Sequence, residues 1–494
     1  MFEKVTPESV GVSSEKVLEF IKTLDDCRLR NHSIIMAKGD KIFAECYYKP
    51  FNERFLHRMY SVSKSFVAMA VGVAVTEGLI KLDDVIVDYF PEFRNENVDS
   101  YHDECTIRDM LCMSSNIADH VIWWGKYKSR VEAYYTKKTN KIPGTLFFYD
   151  SVGSFLLGCI IEKLTGKPFL EYLKEKVLLE IGFSKESYTL TEPGGFTVGD
   201  SGVMCTARDL LIFARFIMKK GEWNGKQYID RNFMEEAIKI QTTNDLAGMA
   251  KHYGNQGYGY LIWKTHPDGF SLVGMGDQLA ICDMKKDICF VITSDNQADK
   301  PARRVTYHEY YYHFLPSVKD MPLEENPKVQ RELKEYLENT ALICQHGEKS
   351  SPIADKVNGA KYVMDENPLN ISYFRLDLDN NVLEFEKEGR IFKLEFSIGE
   401  NKLTRFSLGD RATADKMGFR EEGEYDCANS GAWVEENQIT IMSQVIDTYF
   451  GGLYISIGFK DDRASFVMKN SGQYVFNNAD GFAIGIQNKY KKGS

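Results

Sequence analysis

The sequence predicts an α+β chain in two parts: an antiparallel sheet flanked by helices over residues 1–320, then an all-β, barrel-like domain over residues 328–494. Three observations predict it. Residues 1–315 run hairpin, helices, meander and closing helix, an order that argues against doubly wound nucleotide-binding folds. Beyond residue 380 short amphipathic strands recur at barrel-like spacing. Between the two parts, Leu315-Pro316 through Pro327 is polar and punctuated by proline, which reads as a linker.

Taken in order, Ile34-Ile35-Met36 and Ile42-Phe43-Ala44 flank Lys38-Gly39-Asp40, a hairpin. Val62 to Glu77 is apolar and helical, stopped by Gly78. Residues 105–220 read as largely helical, including Val152 to Leu164 and Ala207 to Lys219. Near residue 258 the period becomes two. Tyr258, Tyr260 and Ile262 alternate, and strands follow from Phe270, over Leu279 to Asp283 and over Ile288 to Ile292. Ala302 to Phe314 closes the part as a helix. The second part opens with a helix at about Val329 to Leu342. Alternation then marks strands around Leu383, Phe392 to Ile398, and Leu453 to Phe459.

The 494 residues carry 61 basic and 71 acidic groups, a net charge of −10 that attracts neither nucleic acid nor anionic lipid. No signal peptide is visible at Met1-Phe2-Glu3-Lys4, and Val67 to Val75 is too short for a membrane span. Ten cysteines are scattered singly, without metal-type spacing, as expected of reduced thiols in a cytoplasmic protein. His308 and His313 bracket Glu309 but lie five apart, so an α-helix would turn them to different faces. The expectation is no metal and no cofactor.

Tyr60-Ser61-Val62-Ser63-Lys64-Ser65-Phe66 opens the apolar helix, with Lys64 three residues after Ser61 on the same face. The helix dipole and burial both favour a neutral amine there, available as base for the serine hydroxyl. The Ser61 amide can stabilise an oxyanion. Ser-x-x-Lys is short, and about two chance matches are expected in a chain this long. The second, Ser13-Ser14-Glu15-Lys16, reads as a capped surface helix start.

With these residues the chain resembles the serine β-lactamases, penicillin-binding proteins and their esterase and D-aminopeptidase relatives, most closely the class C-like branch, over roughly residues 1–315. Pro143 to Gly153 is similar to the segment bearing the family's Tyr-x-Asn motif. The resemblance makes Tyr149 the catalytic tyrosine and puts Ser151 where Asn is usual; Gly202 to Leu210 matches a structural segment. It also implies a β-lactamase/transpeptidase-like fold and, for the second part, a lipocalin-like barrel.

The third motif departs from the family. Its strand usually carries Lys-Thr-Gly, or His-x-Gly in the esterases and peptidases. The matching segment here is Gly274-Met275-Gly276-Asp277-Gln278, with the Gln278 amide as second oxyanion donor. Met275 removes the cation, and Asp277 would repel a substrate carboxylate. Trp123 and Trp124 line the pocket or pack a core; Asp150 faces the site or is a solvated neighbour of Tyr149. Arg303 and Arg304 bind an anion or are simply exposed. The expected activity is that of an esterase or D-amino-acid amidase or peptidase on a small ester, amide or peptide, with weak or no β-lactamase activity. Whether lysine or tyrosine is the resting base stays open, as does self-association into a homo-oligomer. The alternative is a non-catalytic ligand sensor or assembly protein that kept the fold.

Overall fold

The computed structural model describes residues 2–94, 100–118, 128–244, 256–298, 301–409, 411–412 and 420–488. The chain divides into two compact units, with the boundary between Ala341 and Leu342.

The first unit is built on a seven-stranded sheet: β1 (Glu3–Lys4), β2 (Asn31–Lys38), β3 (Lys41–Tyr47), β4 (Trp263–His266), β5 (Gly269–Gly274), β6 (Gln278–Asp283) and β7 (Ile288–Ser294). Their order is β1-β3-β2-β7-β6-β5-β4. Every pair is antiparallel except β1 with β3. The central strands are apolar almost throughout because both faces are covered. Ile35, Ala37, Ala280 and Val291 join one core with α2 (Ser63–Thr76), α3 (Ser151–Thr165) and α4 (Ala207–Met218). Ile34, Met36, Ile281 and Phe290 join the other with α1 (Ser14–Asp26) and α5 (Ala302–His308). The antiparallel α+β reading holds.

Three expectations need correction. The alternating Tyr258, Tyr260 and Ile262 do not form a strand: all three are buried, and Leu261 between them takes a left-handed φ of 54°. The helical stretch 105–220 is broken into short pieces, such as Ile107–Leu111 and Arg130–Tyr135, before the long α3. The helix at the supposed domain start is α6 (Pro327–Glu338), and it belongs to the first unit. There Leu333 enters the core, and Tyr336 Oη donates to Asp25 Oδ2 at 2.6 Å. The proline-rich stretch thus joins two elements of one unit.

Helix α5 continues as a π-helical turn, Glu309–Phe314. The wider turn changes which residues are neighbours, and the His308 and His313 rings approach to 5.2 Å between centroids. The sequence expectation of separate faces assumed α-helical spacing.

The second unit is a ten-strand path, nearly closed like a barrel, from Arg390–Glu395 round to Ser397–Ile398. Its interior is filled by Tyr362, Phe374, Phe385, Trp433, Phe459 and Phe466. Among the described residues no helix is long and apolar enough to cross a membrane.

Candidate active site

The strand residues His57 and Arg58 pair with Cys205 and Met204, and the Met59 amide donates to the Val203 carbonyl at 2.9 Å. Tyr60 then takes a left-handed φ of 45°, an uncommon conformation for an aromatic residue, held by burial and by the Arg58 guanidinium over its ring at 4.7 Å. This sharp bend delivers Ser61 into a 3₁₀ turn, Tyr60–Val62, that runs directly into α2. Two hydrogen bonds fix the helix start: the Val203 amide to Ser63 Oγ at 3.0 Å, and Ser65 Oγ to the Leu261 carbonyl at 2.7 Å.

Lys64 is 1% exposed, and its Nζ donates to Ser61 Oγ at 3.1 Å and to the Asp200 carbonyl at 2.8 Å. The same Nζ lies 5.1 Å from the centre of the Tyr149 ring. Tyr149 in turn stacks on Trp263 at 5.4 Å, with Tyr258 edge-on to both. Serine, lysine and tyrosine from two distant segments therefore converge. A third hydrogen bond to Nζ is left for a substrate, water or the tyrosine oxygen.

Asp150 is not a solvated neighbour. It is 2% exposed and caps α3, accepting from the Val152 and Gly153 amides at 2.9 and 3.1 Å. Burial pushes its carboxyl up to about 6 against those amides and the Arg130 and Lys64 charges. Ser151 is the first residue of α3 and half-buried.

Behind Lys64 stands a pair the sequence did not reveal. Arg130 and Asp200, seventy residues apart, form a buried bidentate ion pair at 2.6 and 3.0 Å. Burial works to raise the Asp200 carboxyl, but the guanidinium outweighs it and the net shift is downward. No local motif links the two residues, so only the fold could show them. Trp263 was equally hidden, inside a stretch read as simple alternation.

The third-motif segment is a hairpin turn rather than part of a strand. Gly274 ends β5, the Asp277 amide donates to its carbonyl at 3.2 Å, and Gly276 and Asp277 are both left-handed. A Cβ on Gly274 would sit 2.4 Å from the Met59 carbonyl oxygen, so this strand end abuts the bend before Ser61. Met275 is half-buried in the turn. The Gln278 side chain is folded inward, donating to the Met275 and Ser294 carbonyls at 2.8 and 2.7 Å. Asp277 is not a bare anion. Arg303 Nε donates to its carboxylate at 2.7 Å, and Arg303 Nη2 donates to the Gly274 carbonyl at 3.1 Å. Trp123 and Trp124 lie outside the described residues.

The beta-lactamase family profile matches residues 19–311. Over 265 residues the chain is 24% identical to a 6-aminohexanoate-dimer hydrolase of Paenarthrobacter ureafaciens, a match covering 49% of this chain and 67% of that one. Over 147 residues it is 29% identical to an N-acetylmuramyl-L-alanine amidase of Bacillus subtilis (strain 168), covering 25% of this chain and 33% of the relative. Among solved structures, a Bacillus anthracis protein provisionally named a 6-aminohexanoate-dimer hydrolase superposes with a TM-score of 0.51 at 20% identity. That match covers 63% of this chain and 86% of the other, and it speaks for the fold alone.

Proposed function

The chain belongs to the beta-lactamase family, and from that premise we propose that it is a serine hydrolase of ester or amide bonds, working through an acyl-enzyme on Ser61. The observation that carries this reading is the buried Lys64 Nζ, 3.1 Å from Ser61 Oγ and anchored from behind by the Asp200 carbonyl.

In this reading Ser61 Oγ attacks the substrate carbonyl carbon while its proton passes to the Lys64 and Tyr149 pair. At 3.1 Å the Lys64 Nζ is within hydrogen-bond reach of the hydroxyl proton that Ser61 gives up. The pair then protonates the leaving alcohol or amine. Water attacks the acyl-enzyme by the same route in reverse, and ping-pong kinetics follow.

The developing oxyanion is held by the Ser61 amide and by a backbone amide of the β5–β6 turn. Of the two candidates, Met275 follows directly on Gly274, which abuts the Met59 carbonyl, and we favour it over Gln278.

The turn also bears on substrate class. Met275 offers no charge, and Asp277 and Arg303 offset each other. A neutral ester, amide or peptide suits such a wall better than a carboxylate-bearing lactam. The relatives named as a dimer hydrolase and an amidase favour amide chemistry. Eight of the ten cysteines are buried and no disulfide joins the described ones, which fits a reducing, cytoplasmic setting.

A non-catalytic ligand-binding role is favoured only by Met275 and Ser151, and a binding module has no need of the buried proton-transfer set. The deciding experiment incubates the full chain with a fluorophosphonate and maps the adduct by mass spectrometry. Side-by-side turnover of p-nitrophenyl esters, D-aminoacyl anilides and a chromogenic cephalosporin accompanies it. One adduct on Ser61 with ester or anilide turnover is expected. Turnover without a Ser61 adduct would remove the nucleophile assignment.

A further inference from the structure

We propose that His308, Glu309 and His313 form a binding site for a borderline divalent metal ion such as Zn²⁺, on the π-helical turn that follows α5 and separate from the Ser61 site. Zinc is named because two imidazoles and a carboxylate suit it in kind and number, leaving one tetrahedral position for water.

The argument begins with geometry. Residues five apart in an α-helix point about 140° away from each other around the axis, so this sequence would scatter its ligands. The π-helical turn Glu309–Phe314 has more residues per turn and undoes that scatter. One ligand atom from each of the three side chains lies within 4.8 Å of the other two, and the two imidazole centroids are 5.2 Å apart. Ligand atoms around a zinc ion sit some 3.3–3.5 Å from each other, given bonds of about 2.0–2.1 Å. Small rotations of the side chains close the remaining gap.

Two further features favour a metal over a chance cluster. His308 and His313 are exposed and Glu309 half-buried, so an ion can reach all three from solvent. Among the described residues no hydrogen bond or ion pair engages the side chain of any of the three. A wide turn also costs backbone hydrogen-bond geometry, and such turns recur where a site requires them.

The ion would act on the helix rather than on the substrate. Helix α5 begins beside Arg303, which bonds Asp277 and the Gly274 carbonyl in the β5–β6 turn. A metal at its far end pins the junction between α-helical and π-helical winding. The expected readout is therefore stability, with turnover little changed.

The test titrates Zn²⁺ into the full-length chain, freed of metal by chelator, and follows binding calorimetrically. Co²⁺ serves as a second probe whose visible absorption reports low coordination number. One ion per chain is expected, with a rise in melting temperature on binding and no comparable binding of Mg²⁺. His308→Ala/His313→Ala should weaken binding by more than the roughly 10–100-fold that losing an outer-shell partner costs. It should also abolish both the Co²⁺ band and the melting shift. Glu309→Gln keeps the size of the side chain and should weaken binding less. His308 and His313 are exposed and Glu309→Gln is isosteric, so the variants should fold, and circular dichroism without metal checks that they do. Unchanged stoichiometry, affinity and Co²⁺ spectrum in the double variant would overturn the proposal, as would absence of binding to the unmodified chain.

Discussion

Two arginine–aspartate pairs stand close to the Ser61 bend, and they are held in opposite ways. Arg130 and Asp200 are both almost fully buried, bonded through two nitrogens to two oxygens, and the Asp200 carbonyl supports Lys64. In the other pair Arg303 keeps 39% of its side chain exposed and meets Asp277 through Nε. The first pair is part of the wall that carries the proposed reacting groups. The second sets the charge of the wall where the family usually keeps a cation. Burial of both partners makes the first costly to disturb, whereas in the second Asp277 is buried and solvent reaches only Arg303, which screens the pair in part.

The sharpest way to break this division is to remove one group from each wall. Ser61→Ala should lower kcat/KM for a p-nitrophenyl ester by about 10⁴-fold or more, because the proposed covalent nucleophile is lost. Met275→Ala on the other wall should cost less than about tenfold, since uncharged contacts at a turn are worth only ~1 kcal/mol. Lys64→Ala/Tyr149→Phe should be little worse than the worse single variant if the two act as a unit. Steady-state kinetics on the five variants and the unmodified chain decides it. Comparable losses at Ser61 and Met275 would erase the distinction between the walls.

Stability separates the pairs next. Asp200→Asn leaves the Arg130 charge buried without its counter-ion, and urea denaturation should show a loss of roughly 3–5 kcal/mol. Asp277→Asn keeps a residue tolerant of the left-handed turn and leaves an arginine that can turn to water. It should cost no more than ~1 kcal/mol. Equal losses would mean that Arg303 is as desolvated as Arg130.

The reacting wall holds another buried element absent from the hairpin. His57, four residues before Ser61, donates from Nδ1 to the Arg58 carbonyl at 3.0 Å, so its Nε2 accepts from His32 Nδ1 at 2.8 Å. Burial lowers the His57 imidazole to about 3 and lowers that of His32 as well. The unfolded chain therefore binds protons below about pH 6.5 that the folded chain refuses, and stability falls as pH drops through that value. By pH 5 the His57 share alone is on the order of 2 kcal/mol. Urea midpoints of the unmodified chain and His57→Gln across pH 5 to 8 test this. Parallel curves would exclude the pair as the source.

Much of this was legible in the sequence, and the reason is range. Ser61 and Lys64 are three residues apart, in a 3₁₀ turn and the helix it runs into, and Tyr149 precedes a helix whose apolar run is plain. The hairpin and the strands β5 to β7 announce themselves by period and turn. Arg130 with Asp200, and Arg303 with Asp277, are separated by 70 and 26 residues, and pairing at such distances leaves no local pattern. The burial of Asp150 is hidden for a related cause: it comes from packing around a helix cap, which the residue type argues against. The π-helical turn escaped because α-helical spacing was assumed.

The smallest expected effect concerns specificity, and it reads the charge of the hairpin wall directly. With the Asp277 and Arg303 charges offsetting each other, the unmodified chain should favour short neutral esters or amides over penicillins. Met275→Lys adds one positive charge, and Arg303→Met removes the charge that balances Asp277. At an effective dielectric of about 20 an ion pair at contact is worth up to ~4 kcal/mol before desolvation. A quarter of that, roughly 1 kcal/mol, is about a fivefold change in kcat/KM. The ratio of penicillin to ester turnover should therefore rise about fivefold in Met275→Lys and fall by a similar factor in Arg303→Met. Both shifts should shrink as salt is raised, because Met275 and the Arg303 side chain keep part of their surface in solvent. The informative failure is an unmodified chain that already prefers penicillins and loses that preference in Arg303→Met. Arg303 would then leave Asp277 to meet the substrate carboxylate, and the hairpin wall would be a switchable anion site rather than a neutral one.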